Sequence, residues 1–84
     1  MPAGLIRLTR HARERVDAGE VEAEWIEAPI RVPDWTASDP RRPNVSLSFK
    51  AIAAFGGRVL RVAHRPDDAH ILAVTAFFDR GAKR

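Results

Sequence analysis

Two consecutive glycines, Gly56-Gly57, lie between two apolar runs and constrain this chain more than any other feature. Paired glycines in that setting predict a two-residue β-hairpin, whose turn needs backbone conformations that side chains oppose. Phe55 then pairs with Arg58, and alternation along the strands sorts the side chains. One face receives Val45, Leu47, Phe49, Ala51, Ala53, Leu60, Val62 and His64 and is the expected core. The other receives Ser46, Ser48, Lys50, Ile52, Val59, Arg61, Ala63 and Arg65 and is polar and basic. The sorting depends on register, since a one-residue slip inverts it.

The remaining elements follow from local signals. Leu5 to Leu8 is a short apolar run, read as a strand. Thr9 is placed to cap a helix over Arg10 to Ala18, because its hydroxyl can satisfy an orphan amide of the first turn. Gly19 suits the left-handed position that ends helices. A second helix is expected from Val21 to about Ala28, with Val21, Trp25 and Ala28 as its buried stripe. Pro29 should end or kink it. Pro33, Pro40 and Pro43 punctuate a loop from Val32 to Pro43. The hairpin strands run from Asn44 to Phe55 and from Val59 to Arg65. Pro66 to Ala69 is a turn, and His70 to Phe78 is a last strand, apolar on both faces and therefore suited to the sheet interior. The expected architecture is α+β: two N-terminal helices on one face of a three- to four-stranded, mainly antiparallel sheet, in the order β-α-α-β-β-β.

At 84 residues the chain is read as one domain over 1–84, with 81–84 as a flexible tail. It contains no cysteine, which excludes disulfide scaffolds and cysteine-ligated zinc and favours a cytoplasmic setting. The first eight residues show no leader-like pattern, and no stretch has the length to span a bilayer, so no membrane partner is expected. The net charge of +3 is unevenly spread. Through Trp35 there are five basic and seven acidic residues, whereas from Thr36 onward there are nine basic and four acidic. Arginine predominates over lysine, and its planar fork binds phosphate bidentately. A basic half favours an anionic partner; the competing reading is an ordinary solvated surface.

Several segments together resemble a known family. They are His11-Ala12-Arg13-Glu14-Arg15-Val16, Trp25-Ile26-Glu27, Pro33-Asp34-Trp35-Thr36, Phe49-Lys50-Ala51-Ile52, Gly57-Arg58-Val59-Leu60-Arg61-Val62 and Val74-Thr75-Ala76-Phe77-Phe78-Asp79-Arg80. In order and spacing, from about Leu8 to Arg80, they resemble the small bacterial DUF4258 domain family, whose fold is similar to the RelE/ParE toxin superfamily. That resemblance implies a RelE/ParE-like fold. It also implies a toxin-like nucleic-acid-binding role, with RNA cleavage and a cognate antitoxin as expectations. Pro29 departs from such families, which continue a helix there.

RNA cleavage requires a base for the 2′-hydroxyl, an acid for the leaving oxygen and cations for the phosphorane charge. The candidates are His11, Arg15, Lys50 and Arg61, with Lys50 diagonal to Arg61 in the expected register. Arg41, Arg42, Arg58, Arg65 and Arg80 are candidate nucleic-acid contacts. No histidine spacing suggests a metal and no motif suggests a cofactor, so an enzyme of this kind would be a metal-independent ribonuclease. Each candidate also has a bland reading: Lys50 and Arg61 as solvated sheet cations, His11 as a helix-terminal residue, His64 as a partly buried hydrogen-bonded one. Trp25 reads as core and Trp35 as cover for a sheet edge. The absence of tyrosine counts against efficient toxin-type catalysis. The alternative function is a non-enzymatic interaction module that uses a long exposed sheet edge to pair with a partner or, as a homodimer, with itself.

Overall fold

The computed structural model describes residues 5–82. Its elements are β1 (Ile6–Leu8), α1 (Arg10–Asp17), α2 (Ala23–Arg31), β2 (Trp35–Ser38), β3 (Ser46–Ile52), β4 (Arg58–Asp67) and β5 (His70–Phe78), with a 3-10 turn at Ala53–Phe55. The strands form one mixed sheet in the order β1-β5-β4-β3-β2, with β1 parallel to β5 and the other neighbours antiparallel. The α+β class and the two helices agree with expectation. The strand count does not: the sheet has five strands, because Trp35–Ser38 pairs with β3 where a loop was expected. Aromatic and β-branched residues at Trp35-Thr36 favour a strand, and the flanking prolines lie outside its ladder.

Local capping defines α1. The Thr9 hydroxyl accepts from the Ala12 amide at 3.2 Å and donates to the Val74 carbonyl at 2.7 Å. That carbonyl belongs to an irregularity in β5, where the β4 partners jump from Thr75 to Ala73 between Ala63 and His64. Thr9 therefore ties the start of the helix to the sheet interior. At the other end Gly19 takes φ 78°, and the Glu20 amide reaches back to the Arg15 carbonyl at 3.1 Å. This six-to-one closure satisfies a terminal carbonyl.

The second helix is displaced from its expected span. It begins at Ala23 and passes through Pro29 to Arg31. Its buried stripe is Ile26, Pro29 and Ile30; Trp25 and Ala28 are only half-buried, and Val21 is buried just ahead of the helix. The proline ring fills core space, and the helix runs only two residues beyond it.

Two apolar clusters lie on opposite faces of the sheet. The larger joins Val21, Ile26 and Ile30 to Ile52, Leu60, Val62, Ala73 and Ala76 beneath the helices. The smaller contains Val45, Leu47, Phe49 and Ala63, flanked by Trp35, Val59, Val74 and Ala82, and takes nothing from either helix. Ala82 thus packs on the sheet, and the Gly81 amide bonds to Asp79 Oδ1 at 2.9 Å. Of the segment expected as a tail, 81–84, Lys83 and Arg84 lie outside the described residues. Among the described residues, no helix is long and apolar enough to cross a membrane.

Candidate polyanion-binding face

The hairpin register decides which cations meet. Ile52 pairs with Arg58, and Gly56 and Gly57 close a five-residue connection, Ala53 to Gly57, in place of the expected two-residue turn. Both glycines have positive φ, 69° and 76°, and the Gly57 amide bonds to the Ile52 carbonyl at 2.9 Å. The glycines lie in the turn as expected, but Ala53-Ala54-Phe55 leaves the strand as well. Phe55 is drawn onto an aromatic cluster, 5.5 Å from Trp25 and 4.6 Å from Phe78 between ring centroids. The register therefore moves by an odd number of residues, and β3 turns over relative to β4.

The expected single-faced core is corrected accordingly. Leu60 and Val62 face the helices, while Leu47 and Phe49 face away from them. Arg61 pairs with Phe49 and Phe77, and Lys50 pairs with Leu60, so the two cations project from opposite faces. Lys50 sits 3.6 Å from Asp34, whose other carboxylate oxygen accepts the Ala51 amide at 2.9 Å. The expected Lys50–Arg61 phosphate clamp does not form. His11 is exposed on α1, and Arg15, on the same helix, chelates Glu20 at 3.0 and 3.2 Å. The four candidate catalytic residues are thus divided: Arg61 lies on the helix-free face, and the other three on the helix side.

The helix-free face assembles a different group. Arg61 extends over the Phe77 ring, with its guanidinium carbon 5.2 Å from the centroid, and lies 3.9 Å from Asp79. The β2–β3 connection brings Arg41 and Arg42 towards it. Asp39, Pro40, Arg41, Arg42 and Arg61 line one hollow of about 550 Å³. Arg42 also lines a neighbouring hollow of about 670 Å³ together with Arg65, Asn44 and Ser46.

Asp39 organises this corner. Its Oδ1 accepts the Arg41 amide at 2.9 Å, its Oδ2 accepts Arg42 Nε at 2.9 Å, and its own amide bonds to the Val45 carbonyl at 3.0 Å. The Arg41 amide first, and then the Arg42 guanidinium, hold the Asp39 carboxyl below its ordinary range, against an opposing effect of burial. Asp39 was not among the expected site residues, although an aspartate followed by proline at a turn is a recognisable signal. Phe77 and its position beneath Arg61 were missed too, because the pairing that joins them is non-local.

The remaining candidates lie elsewhere. Arg58 stacks over Phe55, its guanidinium carbon 5.1 Å from the ring centroid, and with Arg80 it lines a third hollow of about 740 Å³ at the hairpin end. His64 is half-buried on the helix side and hydrogen-bonded to the buried Ser48 hydroxyl at 2.7 Å; burial pushes its pKa down. Trp35 stacks on Phe49 at 4.8 Å between centroids, 7° from parallel, and so covers the small cluster from the edge strand. The long strand β3 is interior. The edges are the three-residue β1 and the four-residue β2, so the long exposed edge expected for partner pairing is absent among the described residues. No family model, curated protein or solved structure matches the chain.

Proposed function

We propose that this protein binds single-stranded RNA on the helix-free face, with Arg41, Arg42 and Arg61 holding phosphates and Arg65 extending the track. The observation that carries the proposal is that three arginines, Arg41, Arg42 and Arg61, line one hollow whose lining includes a single carboxylate residue, Asp39. Asp39 engages one oxygen with Arg42 and the other with a backbone amide, and Asp79 lies 3.9 Å from Arg61, so the two carboxylates offset the three cations only in part. Arg41 forms no side-chain ion pair among the described residues. Planar donors of this kind suit phosphate oxygens.

The test is equilibrium binding of a fluorescent twelve-nucleotide RNA across a salt series. Neutralising three or four phosphates of a single strand predicts a slope of log K against log salt of roughly −2 to −3. Arg41→Ala should weaken binding and reduce the steepness of that slope by about 0.7. Absence of binding at low salt, or an affinity that ignores salt, rejects the proposal.

The family resemblance extends the proposal to a cytoplasmic toxin-type endonuclease restrained by an antitoxin. The hollow around Arg61 is lined by no histidine or lysine, so what supports that extension is the resemblance and not the geometry. RNA cut by the wild type and left intact by Arg61→Ala would support it, as would growth arrest relieved by a neighbouring gene product. Intact RNA together with unimpaired growth would leave a binding protein.

A further inference from the structure

We infer that the third hollow, at the β3–β4 hairpin end, binds one nucleotide unit: an aromatic base carrying a phosphate. Two observations converge there. Phe55 and Phe77, 39% and 40% exposed, are two of the four large apolar side chains exposed among the described residues, and both line this hollow. Neither ring can easily withdraw. Phe55 is held against Trp25 and Phe78, and Phe77 lies in a strand register that directs it to the helix-free face, beside Arg61. Exposed aromatic rings fixed at a hollow are stacking surfaces for a base.

The second observation is an imbalance of charge pairing. Arg58 and Arg80 line the hollow, and neither has a carboxylate partner among the described residues. The two carboxylates that line it are engaged: Glu20 with Arg15 at 3.0 Å, and Asp79 with the Gly81 amide at 2.9 Å and Arg61 at 3.9 Å. The hollow therefore offers two exposed rings, with the Arg58 guanidinium over that of Phe55, and two guanidiniums without a carboxylate partner, which is complementary to a ligand both aromatic and anionic. Its volume of about 740 Å³ falls within the usual range of small-molecule sites. The ligand has two sources, a free mononucleotide or one nucleotide of a bound strand. The strand source rests on the proposed function, because the Arg61–Phe77 stack joins this hollow to the arginine face.

The test titrates the protein with adenosine 5′-monophosphate, adenosine and inorganic phosphate separately, following backbone amide NMR signals of Gly57, Arg58 and Arg80. A second arm compares the twelve-nucleotide RNA with an abasic strand of equal length. Shifts at these amides with the mononucleotide, weakened at least about fivefold in Phe77→Leu and in Arg80→Ala, would support a free nucleotide as ligand. A preference for RNA over the abasic strand that disappears in Phe77→Leu would support a nucleotide within a strand. Arg80 lies in an exposed turn, so Arg80→Ala keeps the test decisive if Phe77→Leu folds poorly. No mononucleotide binding together with equal affinity for both strands overturns the inference and leaves the arginine face standing. Mononucleotide binding without affinity for either strand upholds the inference and removes the face. Adenosine binding as tightly as its monophosphate, indifferent to Arg80→Ala, overturns the phosphate half of the site.

Discussion

Replacing Phe55 by alanine tests the feature on which the cation arrangement rests. Phe55 is the residue that a two-residue hairpin would place at a strand end, and that the five-residue connection instead packs against Trp25 and Phe78. A fully buried phenylalanine truncated to alanine costs about 3–5 kcal/mol. Phe55 is 39% exposed, so roughly three-fifths of that applies, or about 2–3 kcal/mol. This range includes the two ring contacts, each worth about 0.5–1.5 kcal/mol. For a chain of this size each kcal/mol moves the melting temperature by about 4–8 °C, so Phe55→Ala should melt roughly 10–20 °C below the wild type. Thermal melts by circular dichroism at fixed pH measure this, with Phe55→Leu expected to recover about half of the loss. A melting temperature within about 4 °C of the wild type would refute the reasoning: Phe55 would then contribute no packing, and the displacement of the hairpin register would lose its cause.

Other perturbations probe separate parts of the structure. Burial lowers the pKa of His64 below its ordinary 6.5, so the unfolded chain binds the proton more tightly. The resulting stability is intact above about pH 6.5 and declines as the pH falls through the folded value. Urea midpoints at pH 7.5 and 5.5 should therefore differ more in the wild type than in His64→Gln, and an equal difference would contradict this. Thr9→Val removes the helix cap and the bond to Val74, and should cost about 1–2 kcal/mol in urea unfolding; a loss below about 0.5 kcal/mol would dissociate the cap from stability. Lys50→Ala should leave RNA affinity within about twofold while Arg61→Ala weakens it, because the two residues project from opposite faces. Equal losses from the two substitutions would contradict the register.

The helix-free arginine face was legible in the sequence only as a list. Arg41, Arg42, Arg61 and Arg65 stand out as basic residues of the C-terminal half, and all four reach the same region. Lys50 and Arg15 stand out equally, yet each is paired with a carboxylate on the helix side. What separates the two groups is a ladder phase, which no charge pattern encodes. His64 is partly buried and hydrogen-bonded, as its place in the sequence suggests, though its partner is Ser48, which strand alternation about a two-residue turn puts on the opposite face.

The chain's own local chemistry determined the elements. A hydroxyl at Thr9 and a side-chain-free residue at Gly19 delimit α1, and apolar runs broken by Gly56-Gly57 and by a turn at Asp68-Ala69 define three strands, because each signal acts within a few residues of itself. That turn comes two residues later than the expected start at Pro66, since Pro66 and Asp67 pair with Ile71 and His70. Only tertiary packing decided how those elements face one another. Phe55 gains more from Trp25 and Phe78 than from extending the ladder, and that preference depends on groups 23 to 30 residues away in the sequence. Side chains alternate along a strand, so the resulting odd displacement sends Phe49 away from the helices and Lys50 towards them. Arg61 is left to meet Arg41 and Arg42 across a connection that Asp39 holds in place.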